Sequence, residues 1–204
     1  MSSVIFCDFD GVIRHWDNSV LYEQEAAFQL PRGTTFKTAF SADLLLPAIT
    51  GQVKDEVWRG QVTQTLAQNI PYQQASQLVE AWSNSPASID NHFLKTIRAM
   101  MPNHVLALVT NATSRLSQDM ATLQIDQPFD YVINSSEIGV AKPAVDFYRQ
   151  AIQLTGATID TSLFIDDSLK NVAAAEAFGI KGFHFKNLAE LQEELKEWLS
   201  TIKK

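Results

Sequence analysis

The chain has 204 residues, 46% of them hydrophobic, which is enough for one substantial core with room for a modest insertion. A formal charge of −7 and a sequence pI near 5.0 argue against a surface that tracks a phosphate backbone, because nucleic-acid binders concentrate Lys and Arg. A strand begins within a few residues of Met1, no basic stretch leads into an apolar core, and no apolar run reaches membrane-spanning length. These features predict a cytoplasmic protein that acts on a small molecule and engages neither nucleic acid nor membrane.

The apolar run 4–7 reads as a strand whose tip carries Asp8 and Asp10, followed at once by Gly11. Residues two apart on a strand share a face, so the carboxylates are expected side by side. Such a pair raises a pKa unless a cation or basic group intervenes, which predicts a metal-dependent active site. Cys7 is the single cysteine, so it forms no internal disulfide and is expected as a buried thiol. Helical periodicity then runs over 20–30, 35–45, 55–69 and 72–83 without a convincing β run. Pro31-Arg32-Gly33, Pro47, Pro71 and Ser85-Pro86 punctuate it. Residues 17–87 are therefore expected to be a helical cap domain inserted into a core made of 1–16 and 88–204. Further apolar runs at 105–109, 131–134, 163–165 and 182–185 each follow an amphipathic stretch, the signature of an α/β, doubly wound parallel sheet. Leu191, Leu195, Trp198 and Leu199 recur at helical spacing in 188–202, predicting a last helix that packs back on the sheet.

Asp8-Phe9-Asp10-Gly11, Thr110-Asn111, Lys142-Pro143 and Asp166-Asp167 all fall at the carboxyl ends of predicted strands, where open α/β sheets place ligands. Singly they are ordinary: a Thr after a strand caps helices, Lys-Pro suits many loops, and Asp166-Asp167 could cap a helix starting near Ser168. Together, in order and at one end of different strands, they form a constellation. FCDFDGVI, LVTNA, VAKP and LFIDDSLKNVAAAEAFGI resemble, in order and spacing, the four motifs of the haloacid dehalogenase-like hydrolases. The resemblance is to the phosphatase branch with a helical cap between the first two motifs, and it covers essentially the whole chain.

That resemblance implies a Rossmann-like core and a Mg²⁺-dependent phosphatase. Asp8 would be the nucleophile that forms an aspartyl-phosphate, and Asp10 the acid for the leaving oxygen and later the base toward water. Asp10 should be protonated when substrate arrives, so a neighbouring anion would help. Thr110 and nearby N–H groups would hold phosphoryl oxygens, while Lys142 would stabilise their charge and that of the nucleophile. Asn111 is either a further phosphoryl donor or a turn residue. Mg²⁺ would be held by Asp8, the carbonyl of Asp10 and Asp167, with Asp166 acting through water or orienting the ligands. Asn171 would brace the metal loop, and residues 173–175 pack closely on the sheet. The dehalogenases of the superfamily lack the counterpart of Asp10 and need no Mg²⁺, so Asp10 favours phosphoryl transfer. One departure is Lys142-Pro143-Ala144-Val145, where relatives often carry a second proline soon after the first.

The resemblance implies a small phosphorylated metabolite as substrate, such as a sugar phosphate or phosphoglycolate. A phosphomutase of the β-phosphoglucomutase type and a non-catalytic binding relative are the alternatives. Arg14, His15 and Trp16 stand where the chain enters the cap, as a flap or hinge or as connector packing. Arg32, Lys37, Lys54 and Arg59 are candidate contacts to an acidic substrate tail, although Arg59 is expected to pair with Glu56 at helical spacing. Trp58 and Trp82 are expected to bury against neighbouring cap helices. His92, His104 and His184 show no metal-ligand spacing, and nothing specifies the oligomeric state.

Overall fold

The computed structural model describes residues 3–125 and 129–202; residues 1–2 and 203–204, the ends of the expected core domain, and 126–128 lie outside the described residues. β1 (Val4–Cys7) leads to β2 (Arg14–Trp16), then to α1 (Ser19–Ala27), α2 (Thr34–Ala39), α3 (Ala42–Ile49), α4 (Asp55–Leu66) and α5 (Tyr72–Ser83). β3 (Ala87–Ile89) and α6 (Asn91–Met100) follow, then β4 (Val105–Thr110), α7 (Leu116–Thr122), β5 (Tyr131–Asn134), α8 (Ser135–Ile138) and α9 (Val145–Thr155). The chain finishes with β6 (Ser162–Asp166), α10 (Leu169–Phe178), β7 (Lys181–His184) and α11 (Leu188–Ile202).

Five strands form a parallel sheet in the order β5-β4-β1-β6-β7. β1 lies at its centre, with Val4 opposite both Val105 and Ser162, and all its residues are buried. Strands covered on both faces read as unbroken apolar runs, which is why they were visible in the sequence. Alternate side chains feed different layers. Ile5, Leu106, Leu108 and Ile165 pack with Phe93 and Ile97 of α6 and with Leu191, Leu195 and Trp198 of α11. Phe6, Val109 and Phe164 face the other way, onto Phe147 and Tyr148 of α9 and Ala175 of α10. The sheet is therefore doubly wound, and β1 delivers its carboxyl end to the middle of one edge of a rigid slab.

The insertion has its own apolar cluster, built from Ala39, Ala48, Trp58, Val62, Leu66, Ala75 and Val79. Its α5 occupies 72–83 as predicted, but the periodicity over 35–45 resolves into α2 and α3, broken where Ser41 adopts an extended conformation. Pro47 sits inside α3 instead of ending it, and the N–H groups of Gln52 and Val53 close on its carbonyl at 2.8 and 3.1 Å. The sequence reading also missed a ribbon. β2 and β3 pair antiparallel, Arg14 with Ile89, His15 with Ser88 and Trp16 with Ala87, where the chain leaves and rejoins the core. Three-residue strands are too short to display alternation. Among the described residues no helix is long and apolar enough to cross a membrane.

Candidate active site

The turn after β1 puts Asp8 at the sheet's carboxyl edge, almost buried, with the Phe9 N–H donating to its Oδ1 at 2.7 Å. Lys142 reaches the same oxygen. Its Nζ lies 2.8 Å from Asp8 Oδ1 and donates to Asp166 Oδ2 at 2.7 Å and to the Val109 carbonyl at 3.0 Å. Asp166 ends β6 with no exposed surface; its Oδ1 accepts from the Ser168 N–H at 2.8 Å, and Asn171 Nδ2 bonds both of its oxygens at 3.1 Å. Asp166 is thus a support that orients the lysine, and Asn171 a support for Asp166.

One ammonium shared by two buried carboxylates leaves charge uncompensated. Burial, aided by repulsion from Asp166 and opposed by Lys142, pushes the Asp8 carboxyl up to about 7. Burial resists the charged form of Lys142, but the Asp8 and Asp166 carboxylates prevail and raise its pKa. Asp167, more open, is also raised, by burial and then by Asp166. Carboxylate oxygens of Asp8, Asp166 and Asp167 lie within 4.8 Å of one another, an all-oxygen set of the kind a hard divalent cation takes. The structure makes room for this approach at Gly11. Its φ is +80°, and a Cβ there would stand 2.2 Å from Asp167 Oδ2. Cys7, fully buried, has its thiol pushed well up by burial and then by Asp8, which leaves it inert.

Asp10 differs from expectation. Its neighbour is a cation: Arg14 donates from Nε to Oδ1 at 2.7 Å and from Nη2 to Oδ2 at 2.8 Å, and Trp16 Nε1 donates to Oδ1 at 2.7 Å. Arg14 is itself buried, its guanidinium 4.3 Å from the Phe9 ring centroid and 4.5 Å from that of Trp16, with Nη1 on Asp119 at 3.1 Å. Arg14 and Trp16 thus hold Asp10, a role the sequence reading missed. The tight turn through Gly11 that brings residues 14 and 16 back onto residue 10 was the available signal.

Thr110 ends β4, buried and in register with Asn134. Asn111 has both ends of its amide on the backbone of Lys142, donating to its carbonyl and accepting from its N–H, each at 2.8 Å. It fastens the second motif's loop to the third, and the second N–H of its amide is not used in that link. Arg59 pairs with Asp55, not with Glu56, at 2.6 Å, and donates to Ser83 Oγ at 2.5 Å. Asp55 is the better partner because it is buried against the core: its Oδ1 accepts from Thr113 Oγ1 at 2.7 Å and its N–H donates to Ser114 Oγ at 3.0 Å. Arg32, Lys37 and Lys54 are exposed and do not line the cavity described next.

A cavity of about 410 Å³ lies between insertion and core, with Asp10, Asn111 and Ala112 at its core side and Phe36, Trp58 and Trp82 on the insertion side. This is within the range of small-molecule sites. Trp58 and Trp82 meet edge to face at 5.0 Å in the insertion's cluster, so they do pack between helices, but they also form cavity wall.

The comparisons agree with this architecture. The sequence profile of the haloacid dehalogenase-like hydrolases matches residues 3–179. Among solved structures, a haloacid dehalogenase-like hydrolase of Porphyromonas gingivalis superposes with a TM-score of 0.72 at 22% identity, covering 96% of this chain and 98% of that one. A family enzyme of Bacteroides thetaiotaomicron, solved with magnesium and inorganic phosphate, gives 0.71 at 17%, covering 94% and 99%. The L-2-haloacid dehalogenase of Xanthobacter autotrophicus gives 0.60 at 20%, covering 89% and 76%. Identities this low establish a shared fold. The curated sesquiterpene phosphatase astK of Aspergillus oryzae is 32% identical over 69 residues, 34% of this chain and 35% of that protein. Drimenol cyclase drtB of Aspergillus calidoustus is 30% identical over 67 residues, so the match spans 33% of this chain and 13% of the cyclase. With the family profile spanning most of its length and all four motifs gathered on one sheet edge, this chain belongs to the haloacid dehalogenase-like hydrolases.

Proposed function

We propose that the protein is a Mg²⁺-dependent phosphatase that cleaves a small phosphorylated metabolite through an aspartyl-phosphate on Asp8. The observation that carries this reading is a division of labour between two carboxyl groups on one turn. Asp8 is held by Lys142 beside the carboxylate cluster, and Asp10 faces the cavity. A nucleophile and a separate acid for an alkoxide leaving group are what a phosphomonoester demands. The Bacteroides neighbour crystallised with magnesium and phosphate and the Aspergillus phosphatase lend support.

Asp8 attacks phosphorus, the bond from phosphorus to the ester oxygen breaks, and Asp10 gives its proton to that oxygen. Water then attacks the aspartyl-phosphate, Asp10 takes the water's proton, and inorganic phosphate leaves as the Asp8 carboxylate returns. Both Asp10 oxygens accept from Arg14, so one of them must turn from that fork to reach the substrate oxygen. Lys142 opposes the burial that favours a neutral Asp8 and offsets charge on the phosphoryl group, and Thr110 donates to a phosphoryl oxygen. Mg²⁺, held by Asp8, Asp167 and the carbonyl of Asp10, would neutralise the remaining phosphoryl charge. Residues 17–87 act as the cap that excludes water from the reacting group.

The test is phosphate release from sugar phosphates, phosphoglycolate, nucleotides and acetyl phosphate, with Mg²⁺ or chelator, for wild type and Asp8→Asn. Release that needs both Mg²⁺ and Asp8 is expected. Release that persists in Asp8→Asn, or none from any compound, sinks the reading.

A further inference from the structure

We infer that the cavity between insertion and core is the leaving-group pocket and that it selects phosphomonoesters of apolar, uncharged alcohols rather than sugar phosphates or phosphorylated acids. This rests on the phosphatase reading and names the substrate class for that same site.

The wall is carbon. Trp16, Phe36, Phe40, Leu45, Trp58 and Trp82 all line it. The rings form a continuous surface: Phe40 stacks on Trp58 at 6.4 Å and 10°, and Trp82 stands edge-on to Trp58 at 5.0 Å and to Phe36 at 6.3 Å. The polar edge of Trp58 is turned away, its Nε1 donating to the Ala39 carbonyl at 3.2 Å, so its contribution to the cavity is ring face. Phe40 remains 52% exposed although it belongs to this ring set, a large apolar surface left to solvent that a bound apolar group would cover.

The charges in the wall are already matched with each other. Arg14 holds Asp10 and Asp119, and Arg59 holds Asp55. Arg115 adds a second pairing to Asp119 at 2.8 Å, so the carboxylates of Asp10, Asp55 and Asp119 face three guanidiniums, and a second anionic group on the substrate finds no unpaired cation among the described lining residues. That disfavours phosphoglycolate and leaves Arg59 no free role with an acidic tail. Few donors and acceptors remain for a hydroxyl-rich leaving group: Thr113 donates to Asp55 and Asn111 bridges to Lys142, which leaves, among the described lining residues, the hydroxyl proton of Ser83, the second N–H of Asn111 and the side chain of Asn18. A sugar placed here would lose hydration without gaining equivalent partners.

Size sets the length of the alcohol. A dry cavity of about 150 Å³ accommodates benzene. By proportion, the 410 Å³ here accepts a body of up to about sixteen carbon atoms. Its ester oxygen lies toward Asp10 and its apolar body against Phe40, Trp58 and Trp82. Ester and water give the apolar alcohol and inorganic phosphate, with no other reactant.

The experiment compares kcat/KM for geranyl monophosphate and 2-naphthyl phosphate with glucose 6-phosphate and phosphoglycolate, with acetyl phosphate as a probe too small to fill the cavity. The apolar esters should exceed the two polar ones by about 100-fold, the two decades that burial of roughly 100 Å² of apolar ligand surface supports. In Phe40→Ser, a change at a half-exposed position, the ratio of geranyl monophosphate to glucose 6-phosphate should fall at least about tenfold. Acetyl phosphate turnover with no preference for apolar esters overturns the substrate class while the phosphatase reading stands. Absence of turnover with every compound, acetyl phosphate included, overturns both. An apolar preference unchanged in Phe40→Ser overturns the placement of the alcohol in this cavity.

Discussion

The sheet edge and the insertion wall face each other across one cavity, yet they are built on opposite principles. At the edge, Asp8 and Asp166 are buried carboxylates at the ends of the adjacent parallel strands β1 and β6, and Lys142 reaches them from the loop after α8. Across from it, aromatic rings on short helices form a surface with no charge left unmatched. Buried ions tolerate little error in position, whereas apolar packing tolerates exchange of shape and size. A site assembled this way keeps one chemistry while its choice of leaving group can vary.

The largest effect that sharpens the contrast is Asp8→Asn. It removes the proposed nucleophile from the rigid side and should lower phosphate release at least about 10⁴-fold, with circular dichroism and urea midpoint near wild type. Loss of structure along with activity would mean that Asp8 is chiefly structural.

Next comes Lys142→Met, which strands two buried carboxylates. A loss of roughly 3–5 kcal/mol in urea unfolding is expected, recovered in large part by adding Asp166→Asn. A cost below about 1 kcal/mol would show that water already screens this cluster. On the insertion side, Asp55→Asn weakens the links to Arg59 and to Thr113 on the core. A loss of only about 1–2 kcal/mol is expected, read the same way. If it matched Lys142→Met, the two regions would not differ as described.

A pH dependence in chelator tests the same buried cluster without a substitution. The folded protein holds a proton on Asp8 up to about 7, while an unfolded chain releases it near about 3.9. Between these values the folded state binds more protons, so this group's effect is to lower stability as pH rises through that window. Urea unfolding at pH 5.0 and 7.5 should show the lower pH favoured by this contribution, with added Mg²⁺ narrowing the gap at pH 7.5. Asp8→Asn should lose that dependence.

The contrast also explains what the sequence made legible. The strands are continuous apolar runs, so the fold class could be read off directly, and Asp8, Thr110 and Asp166 do stand at strand ends, whereas Lys142 lies beyond α8 and not at the tip of β5 as expected. Partner choice could not be read off. Arg59 has Glu56 and Asp55 both within one helical turn, and only the packing of α4 against Thr113 and Ser114 decides for Asp55. Asp10 was legible as a residue but not in its surroundings, because Arg14 and Trp16 reach it through a turn and not through any periodic pattern. The cavity was invisible for the same reason: its rings come from β2, α2 and its C-cap, α4 and α5, and only Phe36 and Phe40 are related by helical spacing.

The β2–β3 ribbon has a consequence for chain topology. Trp16 and Ala87 are ladder partners, so everything between them is, to the rest of the molecule, the loop of one hairpin. The entropy of closing such a loop grows only with the logarithm of its length, and each doubling costs about 0.6 kcal/mol. The core therefore scarcely registers the length of chain hung there, and what that chain contains reaches the core through local links such as Asp55 on Thr113 and Ser114. A shorter, longer or unrelated segment spliced between the same two ladder partners leaves β1 and β4 aligned as they are.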